Sequence, residues 1–221
     1  SIAEYFNSRG RYNEAKTLLD RALSHCRRLL GGNDIQTFGV MQSLARVYTR
    51  LGRYQEAGSL FVQVLAAEEK HLGANHPSTL TTVRNLASLY KSQGKFDEAE
   101  KLYVRALAGR ETQLGADHPS TLTTICNLAG LYRSQGKFDE AQKLQARALA
   151  GQEKLLGADH PSTLMTVHNF AVLRDWQGRH QEAELLYRRA LAGQKAKLGS
   201  DHPHTLVTVN HLAELYMTQG R

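Results

Sequence analysis

Gly10, Gly52, Gly94, Gly136, Gly178 and Gly220 stand forty-two residues apart, with no insertion anywhere between them. A chain held to so strict a spacing is a series of copies of one supersecondary unit, each burying its apolar face on the next. The stretch from Pro77 to Leu114 serves as the template. Moving it forward by one period sets Pro119-Ser120-Thr121-Leu122 under Pro77-Ser78-Thr79-Leu80, and Gly136-Lys137-Phe138-Asp139 under Gly94-Lys95-Phe96-Asp97. One further step reaches Pro161 and Gly178. The first five of the glycines open a Gly-[Arg/Lys]-aromatic-or-His-x-Glu-Ala signature.

Each copy reads as two helices. In the most regular one the first helix starts around Asp117-His118-Pro119, where a capping side chain precedes a proline whose missing N–H costs nothing in a first turn. It ends at Gly136, the left-handed residue expected after a helix C-terminus. The second helix opens at Phe138-Asp139-Glu140, with carboxylates where the helix dipole favours them, and runs to Leu156 before Gly157. Leu80, Val83, Leu86, Ala87, Leu89 and Tyr90 recur at helical spacing over a wide sector, as in a helix packed on both sides. Ala99, Leu102, Ala106 and Leu107 do the same in the second helix. Ala3, Ala45, Ala87, Ala129, Ala171 and Ala213 form a small-residue column that lets helices approach closely.

The expected fold class is therefore all-α, a right-handed α-solenoid of stacked helix-turn-helix repeats. One array fills residues 1–221: a partial repeat at 1–31, repeats at 34–73, 76–115, 118–157 and 160–199, and a partial repeat at 202–221. Ser1 to Phe6 reads as the tail of a first helix, and the chain as a segment cut from a longer array. Asp34-Ile35-Gln36 replaces His-Pro-Ser, which predicts a looser helix start there. Arg174 stands where other copies have Tyr48, Tyr90, Tyr132 and Tyr216. The last helix lacks a following partner, so Val209, Leu212, Leu215 and Tyr216 are expected to form an exposed apolar face through which copies stack end to end.

Leu86-Ala87-x-x-Tyr90, Gly94, Phe96, Ala99, Tyr103 and Ala106-Leu107 resemble the tetratricopeptide repeat signature. The longer period, with Leu-Gly-x-[Asp/Asn]-His-Pro between units and Asn-Leu-Ala in the first helix, is similar to the kinesin-light-chain subtype. The resemblance implies a scaffold that binds a peptide or protein in a concave groove. It implies that Asn85, Asn127 and Asn169 contribute to that groove, through amides able to donate to and accept from a peptide backbone. The alternative role for these amides is to tie adjacent helices together. The subtype's preceding asparagine is replaced by Arg84, Cys126 and His168, so a different ligand preference is expected. Repeats of this subtype also serve as the sensing array of NB-ARC-type nucleotide-switch receptors, which leaves a second class of function open.

On the first helix, Thr81, Arg84, Asn85, Ser88, Lys91 and Ser92 share the sector that the apolar residues leave uncovered. Three columns of that stripe change at every copy: Gln42, Arg84, Cys126, His168 and Asn210; Arg46, Ser88, Gly130, Val172 and Glu214; Thr49, Lys91, Arg133, Asp175 and Met217. Such columns read a ligand or are under no constraint. Arg46, Arg50, Arg84, Lys91 and Arg133 carry positive charge with no acid among them, which predicts an acidic peptide or carboxylate partner; a solvated basic face is the alternative. His168 is a further candidate contact. Trp176, the only tryptophan, is either an exposed anchor or a ring covering the space around Arg174.

The net charge of +7 brings nucleic acid into consideration. Beyond Arg27-Arg28 and Arg188-Arg189 no basic run supports it. His76, His118, His160 and His202 recur at helix starts about two helix diameters apart, too far to share a metal at ~2 Å; capping or surface roles are expected. No phosphate-cradling loop or nucleophile constellation is present, so neither enzyme activity nor a cofactor is expected. Cys26 and Cys126 lie on helices some two and a half repeats apart. No apolar run reaches membrane-spanning length, and a reducing, cytoplasmic setting is expected.

Overall fold

A computed structural model describes residues 11–220 of the chain. Residues 1–10, with Ser1 to Phe6, Ala3 and Gly10 among them, lie outside the described residues. Ten helices are described: α1 (Tyr12–Leu29), α2 (Ile35–Arg50), α3 (Tyr54–Leu72), α4 (Pro77–Ser92), α5 (Phe96–Leu114), α6 (Pro119–Ser134), α7 (Phe138–Leu156), α8 (Pro161–Trp176), α9 (His180–Leu198) and α10 (Pro203–Thr218). They are consecutive helix-turn-helix repeats and form two compact units, residues 1–113 with α1 to α5 and residues 114–221 with α6 to α10. No described helix is long and apolar enough to cross a membrane.

The starts of the first helices are set by one local device. In α4, α6, α8 and α10 the cap is a histidine whose Nδ1 accepts from the N–H two residues on, at 3.1–3.2 Å, with proline following. Two residues after each proline, Thr79, Thr121, Thr163 and Thr205 donate to the carbonyls of Gly73, Gly115, Gly157 and Gly199 at 2.9 Å, which fixes the connector against the helix. The looser start expected at α2 is not found. Asp34 accepts from Gln36 N–H at 2.8 Å, and Thr37 donates to Gly31 as its counterparts do. A carboxylate cap on a helix dipole replaces what proline supplies elsewhere. Asp34→Ala should therefore cost about 1 kcal/mol, read as a lowered urea midpoint; an unchanged midpoint would show that the Thr37 bond alone holds this turn.

The first helices end in a Schellman arrangement. After α6, Gly136 N–H bonds the Arg133 carbonyl and Lys137 N–H bonds the Tyr132 carbonyl at 2.9 Å, with Gly136 at φ 75°. That backbone conformation is strained for any residue with a side chain, which is why glycine holds this place.

In the pairs α4–α5, α6–α7 and α8–α9 the two helices meet through a leucine and a glycine, where α2 and α3 carry Phe38 and Ala67. Leu80, Leu122 and Leu164 are fully buried on the first helices, and Gly109, Gly151 and Gly193 lie against them on the second. A Cβ on any of the three glycines would sit 2.6–2.7 Å from a leucine Cδ2. The alanine column is likewise fully buried at Ala45, Ala87, Ala129 and Ala171.

α10 differs from the apolar face expected of it. Leu212 and Leu215 are buried against Ala171, Ala183 and Tyr187, and the Tyr216 hydroxyl donates to Glu184 and accepts from Arg188. The exposed apolar side chains are Leu206, Val207, Val209 and Met217. Only Val209 was expected in this set, because the inner side of α10 packs back on α8 and α9.

Candidate functional site

The stripe left uncovered on α4 is as expected: Ser88 and Ser92 are exposed, and Thr81, Arg84, Asn85 and Lys91 are half-buried, beside buried Leu80, Val83, Leu86, Ala87 and Leu89. In the first unit Arg46 lies close enough to Arg84 for its charge to disfavour the Arg84 cation. One Arg84 guanidinium nitrogen donates to Asn85 Oδ1 at 3.0 Å, and its Nε is buried without a partner. Burial, together with Arg46, holds its pKa below the ordinary value. Arg50 is exposed at the end of α2, and Lys91 lies in the last turn of α4.

Arg110 joins this group from α5 and was not foreseen. It is almost fully buried, donates to Thr81 Oγ1 at 2.9 Å, and burial lowers its pKa to about 10, with Arg84 adding to the effect. Arg84 forms no ion pair among the described residues. The first unit thus gathers Arg46, Arg84 and Arg110 where water is partly excluded and a counter-charge is worth more than at an open surface.

In the second unit Asn127 and Asn169 are half-buried and share one cavity. Arg133, its pKa lowered by burial, places its guanidinium 6.0 Å from the centre of the Trp176 ring. Trp176 is 63% exposed. It does not fill space around Arg174, which is itself buried and held by Gln142, Gln177 and Glu182 with its guanidinium over the Phe170 ring. The tryptophan instead borders an open cleft with Phe138 and Lys137.

His168 departs from the expected surface position. It is 5% exposed, with Nδ1 at 2.9 Å from Thr208 Oγ1 and Nε2 at 3.2 Å from His211 Nδ1. Burial, then the neighbouring His211, Arg133 and His204, lowers its pKa to about 4. The same column behaves similarly elsewhere. Gln42 Nε2 donates to Glu68 Oε1 at 3.0 Å and to Thr82 Oγ1 at 2.8 Å, and Cys126 Sγ lies 3.4 Å from Thr166 Oγ1. Two of these belong to polar rungs across three helices: Gln42 bonds Glu68 on the second helix and Thr82 on the next first helix, and His168 and Gln194 meet at Thr208. In the third, Cys126 reaches Thr166 but the second-helix residue, Gln152, keeps an unpartnered Oε1. This column, free to vary by helical arithmetic alone, is partly internal, and at Gln42 and His168 it is joined to a polar residue of the second helix directly or through a threonine. Aligning the second helices at forty-two residues would have exposed the signal, since Glu68, Arg110, Gln152 and Gln194 form a polar column inside an otherwise small and apolar pattern.

The family model described as Tetratricopeptide repeat matches residues 1–70, 36–112, 79–154 and 120–196. Two crystal structures of nearly identical TPR-like repeats, from a Podosopora anserina protein described as a kinesin light chain, are similar to this chain. One, a point variant, has 32% identity and a TM-score of 0.70, covering 88% of this chain and 92% of that one. The other has 31% identity and a TM-score of 0.68, covering 89% and 93%. The crystal structure of BtubC (BKLC) from P. vanneervenii shares the fold at 23% identity and a TM-score of 0.77, covering 95% of this chain and 84% of that one. A search of curated proteins finds no match.

Proposed function

We propose that this chain, which belongs to the tetratricopeptide repeat family, is a non-enzymatic scaffold that takes up an acidic peptide segment along its first-helix stripes. Repeats of this family mediate protein interaction; the use of this stripe and the acidity of its ligand are inferred from the residues. The carrying observation is Arg84, a half-buried cation whose Nε is buried without a partner and which forms no ion pair among the described residues. A carboxylate brought in by a ligand would accept a charge-assisted hydrogen bond and offset the cost of that burial. In the first unit Asn85 would serve the peptide backbone, and Arg46, Arg50 and Lys91 extend the positive field. In the second unit, taken by itself, Asn127 and Asn169 would serve a peptide backbone in the same way, Arg133 supplies positive charge, and exposed Trp176 would supply a flat apolar anchor. His168 acts behind this face, inside a rung. The domain organisation that goes with this reading is one array with repeats at 34–73, 76–115, 118–157 and 160–199 and partial repeats at the two ends.

Random-peptide display against the protein tests the reading. Selected peptides should carry an Asp or Glu at a fixed position, and Arg84→Gln should weaken them roughly tenfold to a hundredfold, the worth of one charged hydrogen bond. Peptides without a fixed acid, or an affinity indifferent to Arg84→Gln, would sink it.

A further inference from the structure

The second unit contains a cavity of about 330 Å³ lined by Thr123, Cys126, Asn127, Gln152, Thr166 and Asn169, among others. Its origin lies in one rung. In the first unit the corresponding positions hold Gln42, Glu68 and Thr82, and the Gln42 carboxamide bridges the other two. In the rung after it, His168 bonds Thr208, and Thr208 donates to Gln194 Oε1 at 2.7 Å. Between them the same column holds Cys126, a much shorter side chain. Its sulfur reaches only Thr166, whose hydroxyl otherwise donates to the Ser162 carbonyl at 3.3 Å. Gln152 is left 6% exposed with a buried Oε1 that has no hydrogen-bond partner. An orphaned buried carbonyl beside an open cavity is an unmet demand for an N–H donor.

The geometry points to a subsite for a carboxamide, the side chain of a glutamine or asparagine in a bound peptide, seated where Gln42 sits in its own repeat. The cavity selects this chemistry in three ways. Gln152 Oε1 calls for a donor, which a carboxylate lacks. No aspartate or glutamate lines the cavity, so a lysine or arginine would be desolvated without a counter-charge. A carboxamide both donates and accepts, matching the amides of Asn127 and Asn169 and the Thr166 hydroxyl. The Gln152 amide can turn about its last torsion, which is broad and two-fold, to meet the incoming group. The inference rests on the reading of this face as peptide-binding and adds a side-chain preference to it.

The test is a titration of isotopically labelled protein with N-acetylglutamine methylamide, followed by NMR at the Gln152, Asn127 and Asn169 side-chain amides. The matched glutamate and norleucine analogues serve as comparators. Saturable shifts below about 100 mM are expected, since so small a probe binds in the millimolar range. Binding of the two analogues should be roughly tenfold weaker or more. Cys126→Gln should supply the missing carboxamide from within, raise the unfolding midpoint and abolish the shifts. Gln152→Leu, which leaves the cavity open, should weaken binding roughly tenfold. Equal affinity for the three probes, binding that survives Cys126→Gln, or no saturable shift overturns the subsite. Arg84→Gln lies in the other unit and should leave this titration unchanged. Acidic peptides selected without a fixed Asn or Gln would thus remove the subsite and keep the scaffold reading. A positive titration with no selected peptide would do the reverse.

Discussion

Leu164→Ala should lower the stability of the second unit by about 3 kcal/mol, within the range for deleting a fully buried leucine where the surroundings collapse only in part. Gly193→Ala should also destabilise, although alanine in mid-helix ordinarily gains about 1 kcal/mol over glycine. The new Cβ would stand 2.6 Å and 2.7 Å from the two δ-carbons of Leu164, and overpacking of this kind costs about 1–3 kcal/mol. In the Leu164→Ala background the obstruction is gone and the added methyl fills part of the void. There Gly193→Ala should stabilise. The reversal of sign, measured by urea unfolding of the four proteins of the cycle, is the diagnostic outcome. The same sign in both backgrounds would mean that the glycine is kept for some reason other than contact with the leucine.

A second large effect is expected with pH. The native site holds His168 neutral down to about pH 4, whereas the unfolded chain takes up that proton near pH 6.5. Between those values the unfolded state binds more protons, so stability rises with pH. The contribution is complete above about pH 6.5 and is lost as pH falls toward 4, in all roughly 3 kcal/mol. Burial is the first cause of the refusal, and the groups that face the ring add to it. Thr208 and His211 on α10 bond its two nitrogens, the Tyr187 ring on α9 packs beside it, and Arg133 on α6 and His204 on α10 add positive potential. His168→Gln, which can bond Thr208 as Gln42 bonds Thr82, should flatten the difference between midpoints measured at pH 7 and pH 4.5. Parallel slopes for the two proteins would assign the acid sensitivity elsewhere.

These two predictions divide between what the sequence makes legible and what it hides. The period alone places Gly136, and the conformational demand at that residue follows from its position after a helix. The recurring His-Pro pair marks helix starts correctly, because capping is a local matter of two or three residues. Arg46, Arg84 and Asn85 were visible as residues of an uncovered stripe, for the same helical arithmetic that buries Leu86 and Ala87. Arg110 and Gln152 were not, because their chemistry is decided across three helices and only emerges when Gln42 is set against Glu68 and Thr82. His168 was misplaced for a related reason. A sector on one helix says which side chains its own neighbours leave uncovered, but not how far a following first helix reaches over them. Trp176 shows the converse, since its surroundings at the end of α8 leave it outside any packed column.

The leucine-on-glycine contact and the polar rungs together bear on how such an array can change over generations. Exchanging one whole copy for another keeps each Leu80-type side chain with the glycine of its own copy, and keeps each first-helix polar residue with its own second-helix partner, while the completing threonine recurs as Thr82, Thr124, Thr166 and Thr208. A crossover between the two helices of a copy preserves only the first of these pairings. Joining Cys126 to Glu68 in that way would leave a buried acid without the Gln42 bridge, and joining Arg84 to Gln194 would set a cation where the His168 ring now lies. The leucine-glycine pairs thus make these copies interchangeable in shape, while the buried polar pairs confine tolerated crossovers to the connectors between whole copies.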